Sequence, residues 1–180
     1  MNADDFKRDY PALNQPLIDW GEISARFTFG ETLPPVETIA KVTVVPFSGD
    51  KIIIVRMKTG LAEIPGGTIE ENEPIQQAAE RELMEEAGAR LHGNLHFFGH
   101  FHCRTSATEP YKPHMPHPAY TRVIGWAHAE IVGAPTMPPD GEIITAVETL
   151  SVSDACAALA HDNRHDLAEL CRLAAAMRTR

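Results

Sequence analysis

The stretch that most constrains this chain runs from Gly66 to Ala89. It opens Gly66-Gly67-Thr68-Ile69-Glu70-Glu71-Asn72-Glu73-Pro74 and closes Arg81-Glu82-Leu83-Met84-Glu85-Glu86-Ala87-Gly88-Ala89. Pro65-Gly66-Gly67 ends an apolar run and forces a turn. Pro74 suits a first helical turn, where a missing N–H costs nothing. Gly88 suits the position after a helix, where a positive φ is wanted. The spacing between them predicts a helix of about four turns. On a wheel of about 100° per residue, Ile75, Ala79, Leu83 and Ala87 form a core stripe, and Gln77, Glu80 and Met84 fall on the far side. Glu82, Glu85 and Glu86, at i, i+3 and i+4, share one side beside that stripe. Like charges at this spacing destabilise an isolated helix by about 0.2–0.5 kcal/mol per pair, a penalty that a divalent cation removes. Hard cations such as Mg2+ take oxygen ligands, usually one or two carboxylates with substrate phosphates and water. A solvated acidic face is the ordinary reading of any three such glutamates.

The full pattern is narrower than a charge run. It reads Gly67, five residues, Glu73, seven residues, Arg81-Glu82-Leu83, one residue, Glu85-Glu86, one residue, Gly88-Ala89. This resembles the Nudix box at every fixed position, over 23 of the 180 residues. The resemblance implies an α/β/α sandwich with a mixed β-sheet. It also implies a divalent-metal-dependent pyrophosphohydrolase (Mg2+ or Mn2+) that cleaves a nucleoside diphosphate linked to another moiety. Glu85 and Glu86 match the family's metal ligands, and Glu82 a position that ligates metal or deprotonates water. The carbonyl of Gly66 or Gly67 is a candidate further ligand. Arg81 is a candidate catalytic residue, or holds Glu73 by a bidentate contact; Gly67, Glu73 and Gly88 are structural positions of the box. Glu142, in Pro139-Asp140-Gly141-Glu142-Ile143, stands where family members often place a catalytic or metal-binding glutamate, and Glu109 is a weaker competitor.

Two other functions compete. A non-catalytic nucleotide-binding or regulatory module on the same fold usually loses box glutamates, and this chain keeps them all; a regulator would also want a DNA-binding domain, for which about 30 residues after the last strand are too few. An isopentenyl-diphosphate isomerase-like enzyme uses an active-site cysteine and a modified box, whereas this box is unmodified and Cys103 is the one strand-borne candidate.

Composition narrows the setting. A chain of 180 residues suffices for one domain with a sizeable core. No run of about 18 apolar residues exists, so no membrane span is expected, and the acidic N-terminus is no signal peptide. The formal net charge of −9 argues against nucleic-acid binding, which wants a basic surface. Seven of the 25 acidic residues lie between Glu70 and Glu86, an excess that a metal site partly accounts for. Cys103, Cys156 and Cys171, without paired or metal spacing, suggest reduced thiols and a cytoplasmic home.

Residues 1–38 read as an N-terminal arm packing on a domain of residues 39–180. The arm carries Phe6, Tyr10, Trp20, Phe27 and Phe29, a short helix is expected near Ile18–Ala25, and the arm is a candidate homodimer contact. Strands are expected at Ile39–Phe47, Lys51–Met57, Leu91–Arg104 (broken near Gly93-Asn94), Ala119–Ile131 and Ile143–Leu150. Ser151 or Ser153 is expected to cap one helix, and Asp162 or Asn163 a last helix to about Arg178. Tyr120, Arg122, Ile124, Trp126 and His128 alternate onto one strand face. Arg122 is a candidate phosphate contact and Tyr120 or Trp126 a candidate base-stacking residue for a small-molecule nucleotide substrate, against a plain packed face. His100 and His102, two apart on a strand, lack a third soft ligand for zinc.

Overall fold

Ile52, Ile53, Ile54 and Val55 are consecutive, and none is more than 1% exposed. A strand covered on both faces explains such a run. The computed structural model describes residues 3–136 and 143–179. Its elements are α1 (Ala3–Asp9), β1 (Ile18–Asp19), β2 (Ile23–Phe29), β3 (Ile39–Ser48), β4 (Lys51–Met57), β5 (Ala62–Glu63), β6 (Gly66–Thr68), α2 (Ile75–Ala87), β7 (Ala89–Thr105), β8 (Ala119–Ile131), β9 (Ile144–Ser151), α3 (Val152–His161) and α4 (His165–Arg178). Among the described residues the strands form one mixed sheet in the order β1-β2-β7-β8-β3-β4-β5, with β6 paired to β3 and β9 to β4. β3 and β8 run parallel and the other pairs antiparallel.

Two apolar cores lie on opposite faces of this sheet. Ile53 and Val55 turn toward Ala78, Ala79, Leu83 and Ala87 of α2. Ile52 and Ile54 turn toward Ala155 and Leu159 of α3, Leu167, Leu170 and Leu173 of α4, and Phe6 of α1. The result is the α/β/α sandwich with a mixed sheet that the sequence leads one to expect. No helix among the described residues is long and apolar enough to cross a membrane.

The N-terminal segment departs from expectation. The helix predicted near Ile18–Ala25 is instead β1, a turn and β2, and the helix lies earlier, at Ala3–Asp9. The pattern Ile23, Ala25, Phe27, Phe29 has period two, and β2 pairs along β7 from Ile23↔Thr105 to Phe29↔Gly99. Cross-strand pairing there outweighs any local helical preference. The segment's aromatics gather into one cluster: Phe6 stacks on Tyr10 and Phe29, and both Phe27 and Trp20 pack on Phe101 at 5.0 and 4.9 Å. The segment is fastened to α4 of the same chain. The Leu13 N–H donates to Glu169 Oε2 (2.9 Å), Trp20 Nε1–H donates to Asp166 Oδ2 (2.9 Å), and the Arg172 guanidinium lies 5.0 Å from the Tyr10 ring centroid.

Two further boundaries shift and one holds. β7 runs unbroken through Gly93-Asn94, and its register with β8 slips between His92 and His96: the turn-forming residues make a bulge, not a break. Ser151 caps α3, accepting from the Asp154 N–H at 3.1 Å. Neither Asp162 nor Asn163 caps α4. Arg164 holds that position without a side-chain bond, and the Asp162 carboxylate instead accepts from the Ala62 N–H at 2.7 Å.

Candidate active site

Gly66, Gly67 and Thr68 form β6, lying along β3 with Thr43↔Gly66, Val42↔Gly67 and Lys41↔Thr68 in register. The strand brings the start of the box against the C-terminal half of α2. A side chain at Gly67 has no room: a Cβ there would fall 2.2 Å from Glu82 Oε1. Gly67 therefore lets the Glu82 carboxylate rest on the backbone. α2 starts after Pro74 and stops at Gly88, whose φ of 57° is the left-handed conformation that glycine adopts freely and whose N–H reaches the carbonyls of Leu83 and Met84.

Arg81 organises the carboxylates. Its Nε and Nη2 donate to both oxygens of Glu73 (2.8 and 2.9 Å), Nη2 also to the Thr68 carbonyl (2.8 Å), and Nη1 to Glu82 Oε1 (2.9 Å) and Glu85 Oε2 (3.1 Å). All the guanidinium N–H groups are thereby engaged. Glu73 in turn accepts from the Glu70 N–H at 2.8 Å, closing the box loop. Arg81 holds the Glu73 carboxyl below its ordinary pKa. Glu82 is only 7% exposed; burial pushes its pKa up, and the charge and hydrogen bond of Arg81 oppose that shift. Glu86 accepts from the Gly66 N–H at 3.0 Å. The like charges on α2 are thus separated by a cation and a backbone donor.

These groups form one wall of a cleft of about 1090 Å3. Its floor is the sheet face carrying Lys41 and Thr43 of β3 and Arg122 of β8; its far wall is the N-terminal segment around Trp20 and the start of α4 around Asp166. The Pro-rich loop 106–118 closes one end, where Lys112 pairs with Glu70 at 2.5 Å and His114 Nε2 sits 2.9 Å from the Ile69 carbonyl. Among the described residues no three acidic, histidine or cysteine side chains converge on one metal-sized point. The donor set nevertheless fits a hard cation: Glu82, Glu85 and Glu86 are oxygen ligands lining the same wall, beside the Gly66 backbone. Arg81 engages one oxygen of Glu85, which leaves the other for a cation.

The structure brings together Gly66, Gly67, Glu73, Arg81, Glu82, Glu85, Glu86 and Arg122, but not all the residues expected at the site. Tyr120 is buried beside Cys103 and Arg122, and burial pushes its phenol up to about 12; it lines a smaller neighbouring cavity with Met115 and not the main cleft. Trp126 is away from the cleft. Four residues of strand separate it from Arg122, about 13 Å along the sheet, and there it packs on Phe47 (6.2 Å) and stacks on His96 (4.3 Å). Glu142 lies outside the described residues. Glu109 is not on the main cleft; it lines a smaller cavity of about 210 Å3 with Pro110 and Met115. The sequence reading missed Trp20, Lys41 and Tyr111. Lys41 had a signal, a lone cation in the apolar run Ile39–Phe47. Trp20 and Tyr111 had none, since their places depend on how distant segments dock.

An open sheet between two helical layers, with a carboxylate-bearing helix at a cleft edge, is an α/β/α sandwich carrying an acidic site. The family model for the NUDIX domain matches residues 38–172, and the chain belongs to the Nudix family. A NUDIX hydrolase from Nitrosomonas europaea has the same fold, with a TM-score of 0.54 and 21% identity over 78% of this chain and 89% of that one. So does the Bacillus subtilis pyrophosphohydrolase BsRppH, solved as a point mutant, at a TM-score of 0.53 and 21% identity over 73% and 77% of the two chains. No curated protein sequence matches this one.

Proposed function

We propose that this protein is a divalent-metal-dependent pyrophosphohydrolase of a nucleoside diphosphate linked to another moiety. The observation that carries the reading is the carboxylate wall: Glu82, Glu85 and Glu86 face a cleft large enough for a nucleotide. Glu82, Glu85 and Glu86, with the Gly66 carbonyl, would hold Mg2+ or Mn2+. The bound cation supplies charge neutralisation at the phosphoryl oxygens and acidifies water. Arg81 is a positioning residue. It fixes Glu82 and Glu85 and, through Glu73, the loop that carries Gly66. Glu82 and Glu142 are the two candidates for the group that takes the proton of the attacking water. Arg122 faces the substrate phosphates from the floor. Cys103, Cys156 and Cys171 form no disulfide with one another, in keeping with a cytoplasmic setting.

A substrate panel tests this reading. Nucleoside triphosphates, ADP-ribose, dinucleoside polyphosphates and capped RNA ends are incubated with Mg2+ or Mn2+ and the products resolved. At least one is expected to be cleaved at a phosphoric anhydride, and EDTA to stop it. Cleavage of none by folded protein, or undiminished turnover in excess EDTA, overturns the proposal.

A further inference from the structure

Lys41 stands in register with Thr68 of β6 on one side and Arg122 of β8 on the other. The three residues form a row across neighbouring strands, and at about 4.8 Å per strand Arg122 starts roughly 10 Å from Thr68. Thr68 directly follows Gly67, on which the Glu82 carboxylate rests. Two cations thus lie side by side on the cleft floor, one strand and two strands away from the metal-binding wall.

Three further cations of the cleft are tied to carboxylates: Arg81 to Glu73, Lys112 to Glu70 and Arg164 to Glu63. Arg122 makes no ion pair among the described residues, and its Nε is buried with no hydrogen-bond partner. A buried donor left unmatched is costly, and the cost is relieved when an acceptor arrives. The Arg122 guanidinium lies 5.3 Å from the Trp20 ring centroid, within cation–π range, and Trp20 is fixed by its bond to Asp166. On the other side, the Lys41 ammonium lies 5.4 Å from the centroid of Tyr111. Aromatic surface therefore flanks both cations.

We propose that Lys41 and Arg122 form an oxyanion subsite that holds a phosphate beyond the anhydride being cleaved, with Trp20 as its roof. The proposal rests on the pyrophosphohydrolase reading above and narrows it: the substrate carries at least three linked phosphates. A nucleoside diphosphate sugar has only the two phosphates that the metal wall engages and leaves this subsite empty. The planar fork of Arg122 matches phosphate geometry, and Lys41 adds a point charge beside it.

Binding is measured first without metal, so that it is independent of turnover. In a Trp126→Phe parent, the remaining indole emission comes from Trp20. Inorganic tripolyphosphate is titrated in EDTA at low salt. A saturable change in emission is expected. Arg122→Gln and Lys41→Gln should each weaken it at least tenfold, Arg122→Lys should fall between, and Glu86→Gln should leave it as tight or tighter. No saturable change, or equal affinity in the parent and both Gln variants, overturns the subsite. With Mg2+ present, Arg122→Gln should lower kcat/KM for a triphosphate or dinucleoside polyphosphate at least tenfold more than for a diphosphate sugar; equal losses count against the proposal. The two readings fail separately. If the hydrolase reading is wrong, no substrate turns over while tripolyphosphate still binds. If only the subsite is wrong, turnover persists and the Gln variants bind and discriminate like the parent.

Discussion

Every N–H of Arg81 is committed to a carboxylate or a carbonyl, so the residue acts on chemistry through the groups it holds. Arg81→Lys keeps the charge but removes the fork that grips both oxygens of Glu73. Hydrogen bonds to charged groups contribute about 1.5–3 kcal/mol each, and these are only partly buried. The expected result is a lower melting temperature and a fall in kcat larger than any rise in KM. It should be accompanied by weaker Mn2+ binding in a direct titration, which a purely structural role would leave unmoved. Gly67→Ala drives a methyl into the Glu82 carboxylate. Misplacing a reacting group by about 1 Å costs on the order of a hundredfold in rate, so kcat should drop by about that much; a fully active Gly67→Ala protein would show that the Glu82 position is unimportant. Glu86→Gln keeps an oxygen to accept from the Gly66 N–H and removes only charge. With several kcal/mol of metal-derived stabilisation at stake, hydrolysis should fall at least about a hundredfold, with circular dichroism unchanged. These box residues were legible because the whole pattern from Gly67 to Ala89 resembles the Nudix box; three glutamates at helical spacing by themselves read as a solvated acidic face. Trp20, some fifty residues upstream of the box, is held at the cleft by its bond to Asp166 and its packing on Phe101, and no local pattern announces a contact between residues 146 apart.

The elements were legible where burial enforces a period. The doubly covered strands β3 and β4 and the apolar stripe of α2 follow directly from sequence. β1 and β2 did not, because scattered prolines and aromatics hide a short period-two pattern whose partner, β7, lies about eighty residues away. β7 also holds the histidine pair. His100 and His102 lie on the sheet face opposite Phe101 and Cys103, with Nε2 atoms 3.1 Å apart. Around them are Arg26 and Thr28 of β2 and Thr121 and Val123 of β8; Arg26 is the charged group that faces them, and among the described residues no third ligand makes the pair a zinc site. Burial lowers the pKa of both; the charge of His102 adds to this for His100, and that of Arg26 for His102. The folded state therefore prefers neutral imidazoles, while the unfolded chain takes up protons near pH 6.5. Stability from this pair is fully present above the unfolded pKa and is lost as pH falls through the interval down to the folded values. The melting temperature should decline between pH 7 and pH 5, and the double variant His100→Gln/His102→Gln should flatten that decline. Equal slopes for the two proteins would refute the assignment.

At the scale of the whole molecule, the two helical layers meet the cleft from opposite sides, α2 with its carboxylates and α4 with the N-terminal segment. A ligand seated between them binds the native state and not the unfolded chain, in which the box loop, α2 and the sheet no longer converge. Metal should therefore stabilise by mass action, by RT ln(1 + [L]/Kd), about 2.7 kcal/mol at a hundredfold excess over Kd. The effect of Mg2+ alone should be modest. Mg2+ keeps its waters and binds weakly without phosphate, and one oxygen of Glu85 is already engaged by Arg81 at 3.1 Å. A nonhydrolysable nucleotide triphosphate should raise the melting temperature further, since its phosphates complete the coordination and bridge to the opposite wall. Ca2+ should also raise it but support little turnover, being larger and less demanding of geometry. The measurement is a thermal-shift series with no metal, Mg2+, Ca2+, and Mg2+ with the nucleotide analogue, run beside phosphate release. In Glu86→Gln the apo protein should melt at or above the wild-type temperature, because one charge of the α2 cluster is gone, and the metal-dependent increment should shrink. An increment of unchanged size in Glu86→Gln would place the cation elsewhere on the molecule, and the carboxylate wall would then need another role.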